Sequence, residues 1–238
     1  MKCVIPCAGR GTRMGLDKPK VLLEVNGIPI LWHVINQWAG TVDGFVIIAS
    51  PENEAQIKEC LQGVAEYEDI EFATQGDPKG LADAILQAEP YVKGKFVVNL
   101  GDCLVRGKFR TLCFDLGIGV QRNVIDGEYW KSYAVKTTAG GHVFEVIEKP
   151  KVIEGYCGMG VYFLDNRIFD YIRKAEVMPG EGDFTEVLQN MVDAGEEIKP
   201  AWFKGQYINI TYPEDLKKAE GCDKCLSRPL SRNSILGH

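Results

Sequence analysis

The residues best suited to chemistry lie near the start of the chain, where small and then cationic residues follow a strand-like segment at residues 2–7. They are Ala8, Gly9, Gly11 and Thr12, followed by Arg13, Lys18 and Lys20. A glycine-rich turn after a strand can direct its backbone N–H groups at an anion, and nearby cations add positive charge. The pattern predicts a loop that holds several phosphates. A solvated surface turn is the alternative at this point.

Two well-known phosphate loops are excluded by residue type. The dinucleotide fingerprint G-x-G-x-x-G fails because Met14 stands where the third glycine is needed, and Pro19 interrupts the helix that should follow. The P-loop pattern G-x-x-x-x-G-K-[ST] occurs nowhere in the chain. A dinucleotide-binding dehydrogenase is therefore the least favoured class.

A second position with chemical potential is Asp102. The apolar segment 95–100 predicts a buried strand, and Gly101-Asp102 follows it directly. In a parallel sheet this places the carboxylate at the carboxyl edge, together with the N-terminal loop. Mg²⁺ prefers one or two protein oxygens and completes its shell with phosphates and water, so such a carboxylate suits it. From these residues alone, a simple Gly-Asp turn is the favoured interpretation.

The elements that must position these residues read as an α/β fold. Short apolar runs alternate with segments whose apolar residues recur at helical spacing. This predicts strands at 44–49, 70–73 and 95–100 and helices at 52–61 and 81–88. This order predicts a Rossmann-like, mostly parallel central sheet with helices on both faces. The middle of the chain predicts an antiparallel subregion with strands at 116–121, 133–137, 143–147 and 155–164 and a hairpin turn at Gly140-Gly141.

The last part of the chain carries two capping-box patterns, which begin at Asp183 and Thr211 and predict the final helices. After Gly221 the composition becomes polar. This predicts one catalytic domain at 1–221 and a flexible tail at 222–238. The tail holds a single C-x-x-C pair, Cys222 and Cys225, and without a second pair free thiols are favoured over a metal site.

Composition narrows the partners. The chain has 238 residues and a net charge of −6, which argues against a broad nucleic-acid-binding surface. It has no long apolar stretch and no signal-peptide pattern, so we expect a cytoplasmic protein without membrane association. A monomer or a homodimer is expected.

The N-terminal segment carries more information than its glycines alone, because its other residues also form a pattern. Residues 6–14 read PCAGRGTRM, Pro19-Lys20-Val21-Leu22 follows after four residues, and Gly27-Ile28-Pro29 comes next. This run resembles the signature of the sugar-1-phosphate nucleotidyltransferases, and its spacing is similar to that of the N-acetylglucosamine-1-phosphate uridylyltransferases. The resemblance implies transfer of a nucleotidyl group from a nucleoside triphosphate to a sugar-1-phosphate, with Mg²⁺ as cofactor. The chain ends before the β-helix domain of bifunctional relatives and the C-terminal helices of larger thymidylyltransferases, so neither is expected.

The same resemblance assigns roles residue by residue. It implies catalytic Arg13, Lys20 and Asp102, nucleotide binding by Ala8, Gly9, Gly11, Thr12, Gln75 and Gly80, acceptor binding by Glu148, Lys149 and Gly158, and metal binding by Asp102 and Asn209. The five-residue spacing from Gln75 to Gly80 looks like that of the pyrimidine-using branches. A glutamine amide suits the Watson–Crick edge of uracil or thymine, which favours UTP or dTTP. Gly158 replaces a common asparagine or valine and Ala134 a common glycine, so the sugar stays open. Asn209 replaces a common aspartate, which predicts a metal held chiefly by Asp102 and the triphosphate.

Two other functions remain. A cytidylyltransferase of the same fold would use CTP and an alditol, inositol or choline phosphate. A non-catalytic nucleotide-sugar sensor would be favoured by loss of Arg13, Lys20 or Asp102, and all three are present.

Overall fold

A computed structural model describes residues 1–9, 11, 18–62, 69–77, 79–110, 115–122, 132–151, 154–175 and 183–221. The predictions for Thr12, Arg13, the Cys222/Cys225 pair and the tail at 222–238 lie outside these residues. In the described part, no helix has both the length and the apolar composition needed to cross a bilayer.

Strands and helices alternate through the first half of the chain, and strands dominate the middle. The strands are β1 (Lys2–Pro6), β2 (Glu24–Val25), β3 (Ile28–Pro29), β4 (Gly44–Ala49), β5 (Ile70–Thr74), β6 (Phe96–Asn99), β7 (Cys103–Phe109), β8 (Leu116–Gln121), β9 (Tyr133–Thr137), β10 (Val143–Glu148), β11 (Tyr156–Leu164) and β12 (Ile198–Asn209). The α-helices are α1 (Ile30–Trp38), α2 (Glu54–Leu61), α3 (Leu81–Leu86), α4 (Arg167–Lys174), α5 (Asp183–Asp193) and α6 (Pro213–Glu220), and short 3-10 helices span Lys20–Leu22 and Glu89–Tyr91.

One sheet organises the molecule, with strand order β5-β4-β1-β6-β11-β8-β12-β7. The first four of these strands are parallel, as the alternating pattern predicted. β1 and β4 are apolar along most of their length because both faces of a parallel sheet are covered. The carboxyl ends of β1, β5 and β6 therefore share one edge, and this edge receives the loop after β1, Gln75 after β5 and Asp102 after β6.

The predicted antiparallel strands continue this same sheet. β11 pairs antiparallel with both β6 and β8, so β8 again runs in the direction of β6. Only β9 and β10 leave the main path, as a hairpin whose turn at Gly140-Gly141 closes with Thr138 N donating to His142 O at 2.8 Å. The last long strand, β12, pairs parallel with β8 and then antiparallel with β7.

Helices cover both faces, which confirms the predicted α/β class. One buried cluster joins the sheet to α1, α2 and α6 through side chains such as Leu31, Ile57 and Ala219. The other joins it to α3, α4 and α5 through side chains such as Ile85 and Phe169.

The last helix begins one residue later than predicted. The helix α6 has Tyr212 as its N-cap residue, not Thr211. The side chain of Asp215 supplies the cap, because its Oδ2 accepts from the backbone N of both Thr211 and Tyr212 at 2.9 Å. The predicted partner Glu214 is exposed. The carboxylate that a capping box needs at its fourth position is therefore present, but it is Asp215 and not Glu214.

Candidate functional site

Lys20 and Asp102 meet at the carboxyl edge of the sheet, where their side chains form an ion pair that is largely shielded from solvent. Gly101 makes this approach possible. A Cβ on Gly101 would lie 2.8 Å from the carbonyl oxygen of Pro6 and 2.9 Å from a methyl group of Val21. Only glycine fits between the end of β1 and the short helix that starts at Lys20. This close approach of the backbone lets the Lys20 side chain contact Asp102.

Asp102 is also tied to the end of β12. The backbone N of Ile210 donates to the backbone O of Asp102 at 3.0 Å, and Asn209 lies opposite Cys103 in the β7–β12 pair. The Asn209 Oδ1 accepts from the Thr211 hydroxyl at 3.2 Å. The two predicted metal ligands thus sit on neighbouring strand ends, one as a carboxylate and the other as an amide oxygen.

Gln75 extends β5 at the same edge, since its backbone N donates to Ala49 O at 2.8 Å. Its side chain is buried and its Nε2 donates to Gly80 O at 3.0 Å and to Asp83 Oδ2 at 2.8 Å. Gly80 has φ of 107°, a backbone angle that favours glycine. This conformation directs the Gly80 carbonyl at the Gln75 amide and, at the same time, at the backbone N of Ala84 in the first turn of α3.

The predicted acceptor residues lie at the end of β10. Glu148 Oε2 accepts from the Thr185 hydroxyl of α5 at 2.8 Å. Lys149 has φ of 41°, unusual for a residue with a side chain, and its backbone N donates to Ser132 O at 3.0 Å. The chain therefore turns sharply directly after the Glu148 carboxylate.

Gly158 has a packing role that its sequence context did not reveal. It follows Cys157, which lies opposite Ala134 in the β9–β11 pair, and a Cβ on Gly158 would lie 2.1 Å from a carbon of the Tyr133 ring. The Tyr133 hydroxyl donates to Met159 O at 2.8 Å, and the Ser132 hydroxyl donates to Gly158 O at 2.6 Å. The aromatic ring covers the glycine as it does at other strand glycines.

The described part of the N-terminal loop comprises Ala8, Gly9 and Gly11. Ala8 is buried and Gly9 is exposed, with no atom within 4 Å of a Cβ built on Gly9. Gly11 has φ of 60°, and a Cβ on it would lie 3.2 Å from Lys20 Cβ. Gly11 therefore brings the loop against the residue that pairs with Asp102.

The thiols near this edge offer no nucleophile. Burial raises the pKa of Cys7 and of Cys103, and the charge of the Asp102 carboxylate raises both further. Cys103 is fully buried and its Sγ lies 3.2 Å from the hydroxyl of Tyr207. Both thiols stay protonated at neutral pH, because the thiol and not the thiolate is the form that burial favours.

Two side chains that form hydrogen bonds with predicted site residues were not identified from the sequence. Thr185 contacts Glu148 across 37 positions of the chain, and Asp83 contacts Gln75 across eight. No local pattern signals the first contact. The second has a weak signal, because an acidic residue in the first turn of α3 lies beside the loop that carries Gln75.

The sheet edge thus collects a glycine-rich loop, the Lys20–Asp102 ion pair, the Asn209 amide and the buried Gln75 amide. This places the chain in the class of α/β proteins whose site residues lie at the carboxyl ends of the strands. The chain belongs to the nucleotidyl transferase family, whose model matches residues 2–207. This match confirms the predicted enzyme class, a nucleotidyltransferase.

Two proteins of stated function are similar to this chain over most of its length. The chain is 29% identical over 237 residues to UTP--glucose-1-phosphate uridylyltransferase AglF of Haloferax volcanii, covering 92% of this chain and 95% of that protein. It is 26% identical over 225 residues to the bifunctional protein GlmU of Methanocaldococcus jannaschii, covering 92% of this chain. The chain spans about half, 53%, of the length of that GlmU protein.

Solved structures share the fold at lower identity. A UDP-glucose pyrophosphorylase complexed with UDP-glucose superposes with a TM-score of 0.78 at 19% identity, covering 94% of this chain and 98% of that one. The inositol-1-phosphate CTP transferase from T. maritima superposes with a TM-score of 0.79 at 20% identity, covering 97% and 98%. Both likenesses confirm the predicted fold.

Proposed function

We propose that this chain transfers a nucleotidyl group from UTP or dTTP to a sugar-1-phosphate, which yields a nucleoside-diphosphate sugar and pyrophosphate. The observation that carries the proposal is the pairing of Lys20 with Asp102 at the sheet edge that also holds Gln75. The likeness to the Haloferax uridylyltransferase, which extends over nearly the whole of both chains, supports the same reaction.

The proposed chemistry needs positioned charge more than a reactive side chain. An oxygen of the sugar phosphate attacks the α-phosphorus, the bond from that phosphorus to the bridging oxygen of the β-phosphate breaks, and pyrophosphate leaves with the electron pair. Lys20 would neutralise charge on the reacting phosphates, and Arg13 with the amides of Ala8, Gly9, Gly11 and Thr12 would hold the rest of the triphosphate. Glu148 would accept from sugar hydroxyls, beside Lys149 and Gly158.

The donor set at the proposed metal site fits Mg²⁺. Asp102 offers a carboxylate and Asn209 an amide oxygen from the next strand end, and both are hard oxygen ligands. Bound there, Mg²⁺ would neutralise phosphate charge as a Lewis acid. Lys20 pairs with the same Asp102 carboxylate, so its ammonium group would add positive charge beside the site that would hold the cation.

The deciding experiment is a pyrophosphate-release screen of nucleoside triphosphates against a panel of sugar-1-phosphates, followed by the Asp102→Asn variant. We expect activity with UTP or dTTP and a loss of about 100-fold or more in kcat for D102N, with thermal stability retained. Asp115→Asn is the matched control, because Asp115 also pairs with a lysine, Lys95, at 2.6 Å, but at the amino end of β8. Full activity of D102N would contradict the assignment.

A second candidate is a cytidylyltransferase that acts on a non-sugar phosphate. The observation behind this candidate is that the inositol-1-phosphate CTP transferase from T. maritima has the same fold. The same screen, with CTP and inositol, alditol and choline phosphates added, separates the two. Pyrophosphate release with CTP alone would replace the proposal above.

A further inference from the structure

The Gln75 amide has a fixed orientation in this chain. An amide group looks nearly the same after a half-turn, so its hydrogen-bond partners must decide which end carries the oxygen. Both partners here, Gly80 O and the Asp83 carboxylate, can only accept hydrogen bonds. The NH₂ end must therefore face them, and both of its hydrogens are used.

The oxygen end is left for a ligand. Within the part of the chain that the structure describes, no donor is paired with Gln75 Oε1. The next residue, Gly76, is exposed, and a Cβ on it would meet no atom within 4 Å. Gln75 thus presents a hydrogen-bond acceptor at the carboxyl end of β5, next to the exposed Gly76.

Of the two acceptors that contact Gln75 Nε2, Asp83 forms the stronger hydrogen bond. Its bond to Nε2, at 2.8 Å, is charge-assisted, whereas the Gly80 carbonyl also accepts from Ala84 N at 3.2 Å. A turned amide would place Oε1 against a carboxylate and a carbonyl, which is a contact between acceptors on both sides. The carboxylate therefore makes the reversed orientation unfavourable.

We propose that Asp83 is a positioning residue for base selection, because it locks Gln75 as an acceptor that matches the ring N–H of uracil or thymine. The inference rests on the proposed function. Uracil and thymine carry a hydrogen on N3, whereas N3 of cytosine is itself an acceptor. In the same pose, cytosine sets two acceptors against each other and leaves Gln75 Oε1 unpaired.

The test compares kcat/KM for UTP and CTP in the wild type, Asp83→Ala and Asp83→Asn, with a saturating acceptor. D83A removes the charged acceptor, and D83N keeps its size but offers a donor that tolerates the turned amide. We expect the UTP:CTP ratio to fall by about tenfold in D83A and in D83N, from weaker use of UTP and better use of CTP. Thermal unfolding midpoints should stay near the wild-type value, since Asp83 is only half-buried.

Asp193→Ala is the matched control. Asp193 Oδ1 accepts from the amide of Gln189 at 2.7 Å in α5, which is the same kind of contact on an exposed helix surface. The UTP:CTP ratio should not change in D193A. A ratio unchanged in both Asp83 variants, in an enzyme whose wild type uses UTP, would overturn the inference alone. If the wild type released pyrophosphate with none of the triphosphates, the proposed function itself would fail.

Discussion

At the scale of single residues, Gly158 is a case in which a neighbouring side chain decides the residue type. Because a Cβ at this position would lie 2.1 Å from the Tyr133 ring, Gly158→Ala requires the ring or a strand to move. We expect a decrease of about 1–3 kcal/mol in the free energy of unfolding, measured by urea denaturation. Gly140→Ala is the control, since its nearest neighbour would be the Thr138 hydroxyl at 3.7 Å. Equal effects of the two changes would contradict the packing role.

His33 in α1 should make stability depend on pH. Burial lowers its pKa below the usual 6.5, and the hydrogen bonds to the backbone of Val25 and Ile28 offset this only in part. The unfolded chain therefore binds the proton more readily than the folded one. The stability contributed by neutral His33 is present above about pH 6.5 and is lost as the pH falls below it.

The measurement is urea denaturation at several values between about pH 8 and pH 5.5. The wild type should lose stability toward the acid end, and His33→Gln should lose less. His142→Gln, in the turn between β9 and β10, should keep the wild-type slope. An identical slope in H33Q and the wild type would exclude His33 as the cause.

The sequence indicated site residues whose neighbours along the chain belong to a motif, and these are the ones that could be predicted. Asp102 after Gly101 and Gln75 before Gly80 were found in this way, and the structure brings both to the carboxyl edge. Thr185 could not be found, because its importance lies in a contact with a side chain far away in sequence. Asp83 had only a weak signal, its place in the first turn of α3 beside the Gln75 loop. Their roles, like those of the predicted site residues, stay predictions.

At the scale of elements, the start of α6 depends on one buried carboxylate. Asp215 is 2% exposed and accepts from the two backbone N–H groups that precede the helix. We expect Asp215→Ala to lower the free energy of unfolding by about 1–2 kcal/mol, because it removes the cap and leaves two partly buried backbone donors without it. Glu214→Ala, one residue earlier on the exposed side, should change it by less than about 0.5 kcal/mol. Comparable losses in urea denaturation would restore the cap first predicted from Thr211 and Glu214.

Strands buried on both faces were the easiest elements to predict, whereas β2, β3, β7 and β12 were not predicted. β4, β6 and β8 are apolar along most of their length, and such runs mark a buried strand whatever surrounds it. The helices α1 and α4 were not predicted. α1 begins directly after Pro29, with no polar capping side chain in front of it, and it is fixed by burial of Leu31, Ile35 and Trp38 against the sheet. Tertiary packing of this kind leaves no local signal.

At the scale of the whole molecule, the sheet joins the two kinds of strand pairing into one body. β6 pairs with β1 on its parallel side and with β11 on its antiparallel side, so the parallel and antiparallel halves of the sheet share a central strand. The sequence predicted an antiparallel subregion but not that β8, β11 and β12 extend the main sheet. That arrangement depends on pairings between strands far apart in the chain, which local patterns do not encode.

This continuity predicts that both halves unfold together. Cys3 in β1 and Cys157 in β11 are both buried, so thiol labelling followed by peptide mass analysis reports each half separately. If each half depends on the other for its covered faces, the two thiols should become reactive at the same urea concentration. Cys60, only partly buried in α2, is an internal control that should react at lower urea. Labelling of Cys157 well before Cys3 would show that the antiparallel half is a separate folding unit, and the site would then lie between two units that can open independently.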